Sequence, residues 1–174
     1  ATGAVNYLND LWKFNPGTGF WTWVGGSNTG GAAGVYGSPG VPSASNTPGA
    51  RGYSMTWRDV AGNFWLFGGL RGAATVYNDL WRYAPGAGTW TWVGGSNAAN
   101  AGSVYGTKGQ PATGNQPGAR MGGVSWIDAS GNLWMFGGYA AGAFFNDLWR
   151  YAPGSGVWTW MSGSNAPNQS GTYG

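Results

Sequence analysis

One phrase recurs three times along this chain of 174 residues and constrains its fold more than any other feature. It reads NDLWKFNPGTGFWTWVGGSN at 9–28, NDLWRYAPGAGTWTWVGGSN at 78–97 and NDLWRYAPGSGVWTWMSGSN at 146–165. Recurrence of this kind indicates copies of one supersecondary unit, each of which buries its apolar face by stacking on its neighbours. The chain is therefore a tandem repeat.

Each copy contains four short segments with the composition of β-strands. In the middle copy these are GYSMTW after Pro48–Arg51, FWLF before Gly68, DLWRY, and TWTWV after the Pro85–Gly88 turn. Aromatic and β-branched residues fill the segments, Gly, Pro and Asn separate them, and no stretch has the apolar period of a helix. The sequence predicts an all-β protein without helices.

The stretches between copies have a different composition. Residues 25–47 and 94–116 are rich in Gly, Ser, Asn, Ala and Pro, as flexible linkers are. A Tyr-Gly pair nevertheless recurs, at Tyr36, at Tyr105 and, after the third copy, at Tyr173. A free linker has no reason to repeat a tyrosine, so we expect ordered surface loops that are packed by these side chains.

Four features of the repeat occur in a fixed order. A double glycine ends the second segment, an aromatic residue ends the third, and a tryptophan follows after a Pro-Gly turn. The positions are Gly68-Gly69 and Gly137-Gly138; Phe14, Tyr83 and Tyr151; and Trp21, Trp90 and Trp158. This order resembles the kelch repeat. The PGAR and NDLW phrases and the long loops resemble bacterial kelch-repeat proteins, which are similar to the central propeller domain of galactose oxidase.

The resemblance implies that each repeat forms one kelch-type β-propeller blade, a four-stranded antiparallel sheet. Kelch repeats span roughly 50 residues, so these copies carry an insertion of about 20 residues between blades. Residues 1–47 would then form the second half of a blade and its loop. Residues 48–116 would form a complete blade and loop, and residues 117–174 a complete blade and part of a loop. This division gives about two and a half blades.

An open stack of this size would leave strand edges and tryptophan-rich blade faces in water, because closed propellers typically contain about four to eight blades. Other protein material must cover these surfaces. We expect further copies of this chain, in an oligomer or fibre, or further kelch blades of a longer parent chain.

All 13 tryptophans occupy repeated positions. They are Trp12, Trp81 and Trp149; Trp21, Trp90 and Trp158; Trp23, Trp92 and Trp160; Trp57 and Trp126; and Trp65 and Trp134. A ligand-binding residue need not recur in every copy, whereas a side chain that fills the space between adjacent blades must. We therefore predict that the tryptophans form the core between blades.

The residue types exclude most catalytic chemistry. The chain has no His and no Cys, and its acidic residues are five aspartates. These absences remove disulfides, thiolate and imidazole catalysis and nearly every zinc or copper site, including the copper site of galactose oxidase. We expect no enzyme activity, no catalytic residue, no cofactor and no metal site.

The aspartates and arginines recur at positions that suggest structural roles. Asp10, Asp79 and Asp147 each follow Asn at the start of a strand, where we expect them to cap the turn. Arg51 and Arg120 each follow Pro-Gly-Ala. We hypothesise that each arginine pairs with one of these aspartates in a buried crosslink.

The charge pattern excludes two classes of partner. The formal net charge is +3, but only 7% of residues are charged and the basic residues are scattered among the copies. Nucleic-acid binding requires a clustered basic patch, so we expect no nucleic-acid partner. Apolar runs are interrupted every few residues, and we expect no membrane insertion.

Two functional hypotheses fit these observations. The first is a non-catalytic extracellular or cell-surface module for binding or assembly, in which rigid blades present long loops to a surface protein or a polysaccharide. The alternative is carbohydrate binding, in which Tyr36, Tyr105 and Tyr173 stack on sugar rings beside neighbouring asparagines. Weak repeated sites of this kind would act together through multivalency.

Overall fold

The computed structural model describes residues 6–171 and confirms the all-β prediction. These residues form ten strands in three antiparallel sheets, and they include no helix that could cross a bilayer. The strands are β1 (Leu11–Asn15), β2 (Phe20–Gly25), β3 (Met55–Arg58), β4 (Phe64–Arg71), β5 (Thr75–Ala84), β6 (Thr89–Gly94), β7 (Val124–Ile127), β8 (Leu133–Ala140), β9 (Ala143–Ala152) and β10 (Val157–Ser162). We name β1–β2 blade 1, β3–β6 blade 2 and β7–β10 blade 3.

Each four-stranded sheet is a meander in which consecutive strands pair. The repeated phrase supplies the outer two strands of each blade and the turn between them. In blade 2, the amide of Gly88 donates to the carbonyl of Ala84 at 2.9 Å and closes the turn. Tyr83 then lies opposite Trp90, and Trp81 lies opposite Trp92. The recurring aromatic residues therefore line one face of the sheet.

The double glycine brings two backbones into close approach. At Gly69 the register of β4 shifts, the φ angle is 102°, and an added Cβ would lie 2.8 Å from the carbonyl oxygen of Gly52. Only glycine fits such a position. The amide of Gly69 donates to the carbonyl of Arg120 at 2.9 Å, which joins blade 2 to blade 3.

The core lies between blades 2 and 3. The forward face of blade 2 carries Met55, Trp57, Trp65 and Phe67, and it packs on the rear face of blade 3, which carries Met135, Trp149, Tyr151 and Trp158. The ring centroids of Trp65 and Tyr151 are 5.9 Å apart, and those of Phe67 and Trp158 are 5.5 Å apart. Trp57 Nε1 also donates to the carbonyl of Trp134 at 2.9 Å. At this interface the tryptophans form the predicted core between blades.

A buried ion pair fixes the start of each complete blade. Arg120 donates to both carboxylate oxygens of Asp147, at 2.5 and 2.9 Å, and neither side chain is exposed to solvent. The same guanidinium donates to the carbonyls of Gly118 and Gly137. Arg51 and Asp79 form the equivalent pair in blade 2. The hypothesis of a buried Arg–Asp crosslink is confirmed.

The capping role that we expected for these aspartates is wrong. The carboxylate of Asp79 accepts hydrogen bonds from side chains: Arg51, Trp81 and Tyr36. The adjacent Asn78 bonds the backbone instead, because its Oδ1 accepts from the amide of Ser96 and its Nδ2 donates to the carbonyl of Pro117. The asparagine therefore ties the loops to the strand, and the aspartate accepts hydrogen bonds from buried side-chain donors.

Candidate binding and assembly surfaces

The loop tyrosines hold their loops against the next blade. Tyr36 donates its hydroxyl to Asp79 Oδ2 at 2.7 Å, and its ring lies 4.9 Å from that of Trp81 and 5.1 Å from that of Trp92. Burial raises the pKa of the Tyr36 hydroxyl, and the neighbouring carboxylate of Asp79 raises it further. The predicted packing of this loop by its tyrosine is confirmed.

Tyr105 repeats this arrangement one blade later. Its hydroxyl donates to Asp147 Oδ2 at 2.8 Å, and its ring packs against Trp149 and Trp160. Burial and the charge of Asp147 raise the pKa of Tyr105. Tyr173 lies outside the described residues. Ligand binding by the three tyrosines stays a prediction.

A cleft of about 410 Å³ opens beside Tyr105. Ser103, Asn100 and Asn165 give it polar side chains, and Phe145 gives it an aromatic wall. Amide side chains next to an aromatic ring can hydrogen-bond a small polar ligand while the ring stacks on it. This cleft is the site that best matches the predicted combination of loop tyrosine and neighbouring asparagines.

The rear face of blade 1 is an exposed aromatic surface. Its residues and their exposed fractions are Trp12 (50%), Phe14 (46%), Trp21 (64%) and Trp23 (52%). At the same repeat positions in blade 3, Trp149, Tyr151, Trp158 and Trp160 are 0–8% exposed. The residue types on the two faces are nearly identical, so the difference in exposure arises because blade 2 covers the rear face of blade 3, while no described residue covers the rear face of blade 1.

The forward face of blade 3 is exposed in the same way. Val124, Trp126 and Phe136 are 63%, 42% and 44% exposed. Their counterparts Met55, Trp57 and Phe67 in blade 2 are 2%, 5% and 0% exposed. Contiguous apolar patches of this kind on a protein surface mark interaction sites.

A groove runs along β1 between blades 1 and 2. It has a volume of about 560 Å³, with Leu8, Asp10 and Leu11 on one side and Phe64 and Leu66 on the other. Phe64 is 44% exposed, whereas Leu133 at the same position of blade 3 is fully buried. The groove therefore exposes apolar surface of blade 2. The equivalent surface of blade 3 is buried because its neighbour, blade 2, has all four strands.

A further aromatic patch departs from the repeat. Tyr53 and Phe144 are 65% and 64% exposed, and with Tyr139 they line a shallow hollow. Tyr53 has a φ angle of 60°, and the corresponding residue of blade 3 is Gly122, with a φ angle of 68°. A tyrosine in this left-handed conformation costs roughly 1–2 kcal/mol. Reasoning from repeated positions missed this patch, and the signal that would have revealed it is the break in the repeat.

The turn aspartates have structural hydrogen bonds. Asp128 accepts from the side chain of Asn132, from Trp134 Nε1 and from backbone amides, and these bonds lower its pKa to about 2. Burial alone would raise the pKa of Asp59, but hydrogen bonds from Trp65 and Asn63 lower it below its ordinary value. Both carboxylates are thus fixed as anions inside turns. Among residues 6–171, no three acidic side chains lie close enough together to hold a metal ion.

Comparison with known proteins supports the architecture. A solved structure entitled "Structure of YjhT" aligns with 90% of this chain at a TM-score of 0.53 and 17% sequence identity. The likeness shows the fold alone. This chain spans 45% of the length of the YjhT chain. No family model and no curated protein matches the sequence.

Proposed function

We propose that this chain is a non-catalytic assembly module, built from kelch-type blades, that binds copies of itself head to tail. The forward face of blade 3 on one copy would pack on the rear face of blade 1 on the next. The single observation that carries this proposal is that the exposed forward face of blade 3 and the two exposed strands of blade 1 carry, at the same repeat positions, the aromatic residues that meet between blades 2 and 3.

The internal interface supplies the expected contacts. Trp65 packs on Tyr151 and Phe67 packs on Trp158 between blades 2 and 3. Transferred by repeat position, Trp134 of one copy would pack on Phe14 of the next, and Phe136 on Trp21. Because the two surfaces differ from each other, the contact is heterologous, and it generates rings or filaments rather than a two-fold dimer.

The energetics favour burial of these faces. Each half-exposed aromatic side chain leaves about 100 Å² of surface in water, and burial contributes about 25 cal/mol per Å². Several such rings on each partner contribute on the order of 10 kcal/mol before the cost of association.

The proposed setting is extracellular or at a cell surface, where the assembly would bind a surface protein or a polysaccharide. The low content of charged residues supports this setting.

Two charge substitutions test the proposal by light scattering over a range of concentrations. Phe136→Glu places a charge on the forward face of blade 3, and Trp21→Glu places one on the rear face of blade 1. Each variant alone should be monomeric at concentrations where the unmodified chain assembles. Val60→Glu, in a turn where the side chain is 97% exposed, is the control and should assemble normally.

Mixing the two variants tests the head-to-tail geometry. Phe136→Glu retains an intact blade 1 and Trp21→Glu retains an intact blade 3, so an equimolar mixture should form a heterodimer that does not grow further. If the unmodified chain stays monomeric, or if Trp21→Glu still associates with itself, the proposed interface is wrong.

Carbohydrate binding at the cleft beside Tyr105 is the second candidate function. The observation in its favour is that Tyr105, Asn100 and Asn165 line one concave site. Asn165→Ala should then abolish binding on a glycan array while the melting temperature stays within a degree or two. Asn168→Ala, an asparagine outside the residues that line the cleft, is the matched control. Glycan binding that Asn165→Ala leaves unchanged, or no glycan binding at all, would remove this candidate.

A further inference from the structure

We propose that the cleft beside Tyr105, between blades 2 and 3, binds a ligand that ends in a guanidinium group, as an arginine side chain does. At the equivalent position between blades 1 and 2 the chain supplies a guanidinium of its own, that of Arg71. Blade 3 has Ala140 in place of Arg71, and an open cleft lies beside it. The inference does not depend on self-assembly.

The precedent is the hydrogen bond that Arg71 makes at the end of β4. Its Nη2 donates to the carbonyl oxygen of Gly31 at 2.6 Å. Gly31 belongs to the long loop between blades 1 and 2, so the side chain of Arg71 spans the space between that loop and the β4–β5 hairpin. Because the guanidinium is charged, this hydrogen bond is stronger than one between neutral groups. The repeat thus has a position that holds a guanidinium.

The long loop between blades 2 and 3 presents the equivalent carbonyl. Asn100 holds the position of Gly31, and the two φ angles are 60° and 72°. The amide of Asn100 donates to the carbonyl of Val76 at 2.8 Å, as the amide of Gly31 donates to that of Tyr7 at 2.8 Å. Asn100 Oδ1 accepts from the amide of Val76, which holds the side chain against β5. Within residues 6–171, no donor reaches the backbone carbonyl of Asn100.

Two departures from the repeat open the cleft in blade 3. β8 ends at Ala140, with a methyl group where β4 ends at Arg71 with a long side chain. Residues 141–142 form the turn between β8 and β9, which is one residue shorter than the turn of residues 72–74 between β4 and β5. Ala140 and Asn100 both line the cleft, whose volume is about 410 Å³. This volume lies within the range of about 300–1,000 Å³ that small-molecule sites occupy.

The charges beside the cleft are compatible with a cation. Phe145 lines the cleft, and the guanidinium carbon of Arg120 lies 4.2 Å from the centroid of its ring. Asp147 neutralises Arg120. Blade 2 has the same arrangement of ion pair and aromatic ring, and it accommodates the added charge of Arg71. Asn165, which also lines the cleft, offers an amide oxygen as a second acceptor.

The test uses ethylguanidinium, which is the part of an arginine side chain that extends beyond the Cβ that Ala140 retains. Amide NMR spectra should show saturable shifts at residues 100–102 and 140–141. Ethylurea, a neutral molecule of nearly the same shape, is the matched control and should bind at least tenfold more weakly. If the unmodified chain assembles, the spectra are recorded on the Phe136→Glu variant, whose substitution lies outside the cleft. Equal binding of the two compounds, or no saturable shift at these residues, would overturn the proposal.

Two substitutions exchange the residues of blades 2 and 3. Ala140→Arg supplies the guanidinium from the chain itself, so binding of ethylguanidinium in the cleft should be lost. Arg71→Ala opens the position between blades 1 and 2, so a second set of saturable shifts should appear at residues 31–33. Arg58→Ala, at an exposed position of β3, should create no second site. Binding that persists in a folded Ala140→Arg variant, or the absence of a second site in Arg71→Ala, would overturn the proposal. The second result decides even if Ala140→Arg fails to fold.

Two larger probes distinguish the source of the guanidinium. Agmatine carries the group on a free small molecule, and N-acetyl-arginine amide carries it on a peptide backbone. Tighter binding of agmatine would support a small-molecule ligand, and tighter binding of the arginine amide would support an arginine of a polypeptide. A saccharide that shifts residues 100–102 when neither guanidinium compound does would overturn the proposal in favour of carbohydrate binding.

Discussion

Arg120 and Asp147 form an ion pair that is wholly enclosed by protein, 27 positions apart in the sequence. The pair is the centre of a larger network, because Trp149 Nε1 and the hydroxyl of Tyr105 also donate to the same carboxylate. Through Tyr105 the network joins the long loop to the blade. Asp147 therefore links the turn before β7, the strand β9 and the long loop between blades 2 and 3.

Removing one member of this pair should be strongly destabilising. Arg120→Met leaves the carboxylate of Asp147 buried without its counter-charge, and we expect a loss of about 3–5 kcal/mol in the free energy of unfolding, measured with urea. Arg58→Met, at an exposed position of β3, should change stability by about 0.5 kcal/mol or less. The double variant Arg120→Met, Asp147→Leu should recover part of the loss. A loss below about 1 kcal/mol for Arg120→Met would contradict the role of the pair.

Two glycines with similar φ angles should respond differently to substitution. Gly88 has a φ angle of 66° and open space where a Cβ would lie, so Gly88→Ala should cost about 1 kcal/mol for the left-handed conformation alone. At Gly95, with a φ angle of 79°, a Cβ would collide with the carbonyl oxygen of Asn78. Gly95→Ala should therefore cost several-fold more, measured by thermal unfolding. Equal losses at the two sites would show that contact with Asn78 is unimportant.

The repeat made the architecture predictable, but it could not predict exposure. Trp21 and Trp158 occupy the same position and the sequence assigns both to the core, yet Trp158 is 7% exposed and Trp21 is 64% exposed. The burial of each depends on whether a neighbouring blade covers it, and local sequence carries no information about that. The difference in exposure between Phe64 and Leu133, which share a repeat position, has the same cause.

The buried polar network was predictable only in part. Recurrence of Arg51 and Asp79 suggested an ion pair, because two opposite charges repeated at fixed positions can meet in every blade. The Asn-Asp pair also fits turn capping, and local reasoning preferred that role for the aspartate. In the folded chain the aspartate has a different role, because the enclosed arginine, indole and phenol donors all require an acceptor, and the carboxylate of Asp79 supplies it.

Alkaline pH should weaken the protein through its loop tyrosines. Folding raises the pKa of Tyr105 and Tyr36 above the value of about 10 in an unfolded chain. The stabilisation is fully present below pH ~10 and is lost as the pH rises above it, because the unfolded chain ionises first. Tyr105→Phe should reduce the fall in urea midpoint between pH 9 and pH 11, whereas Ser155→Ala, in the exposed turn between β9 and β10, should not. An identical slope for Tyr105→Phe and the unmodified chain would contradict this assignment.

Acid pH should act on a different group, the carboxylate in the β7–β8 turn. The hydrogen bonds from Asn132 and Trp134 lower the pKa of Asp128 to about 2 in the folded chain, below the value of about 4 for an unfolded one. Its contribution to stability is therefore present above pH ~4 and is lost as the pH falls from 4 to 2, because the unfolded chain takes up the proton first. Asp128→Asn keeps an oxygen acceptor but no titratable group, so its melting temperature should fall less over this range. Ser155→Ala, in the exposed turn between β9 and β10, should retain the full dependence on pH. If Asp128→Asn and Ser155→Ala lose the same number of degrees between pH 4 and pH 2, the acid sensitivity has another origin.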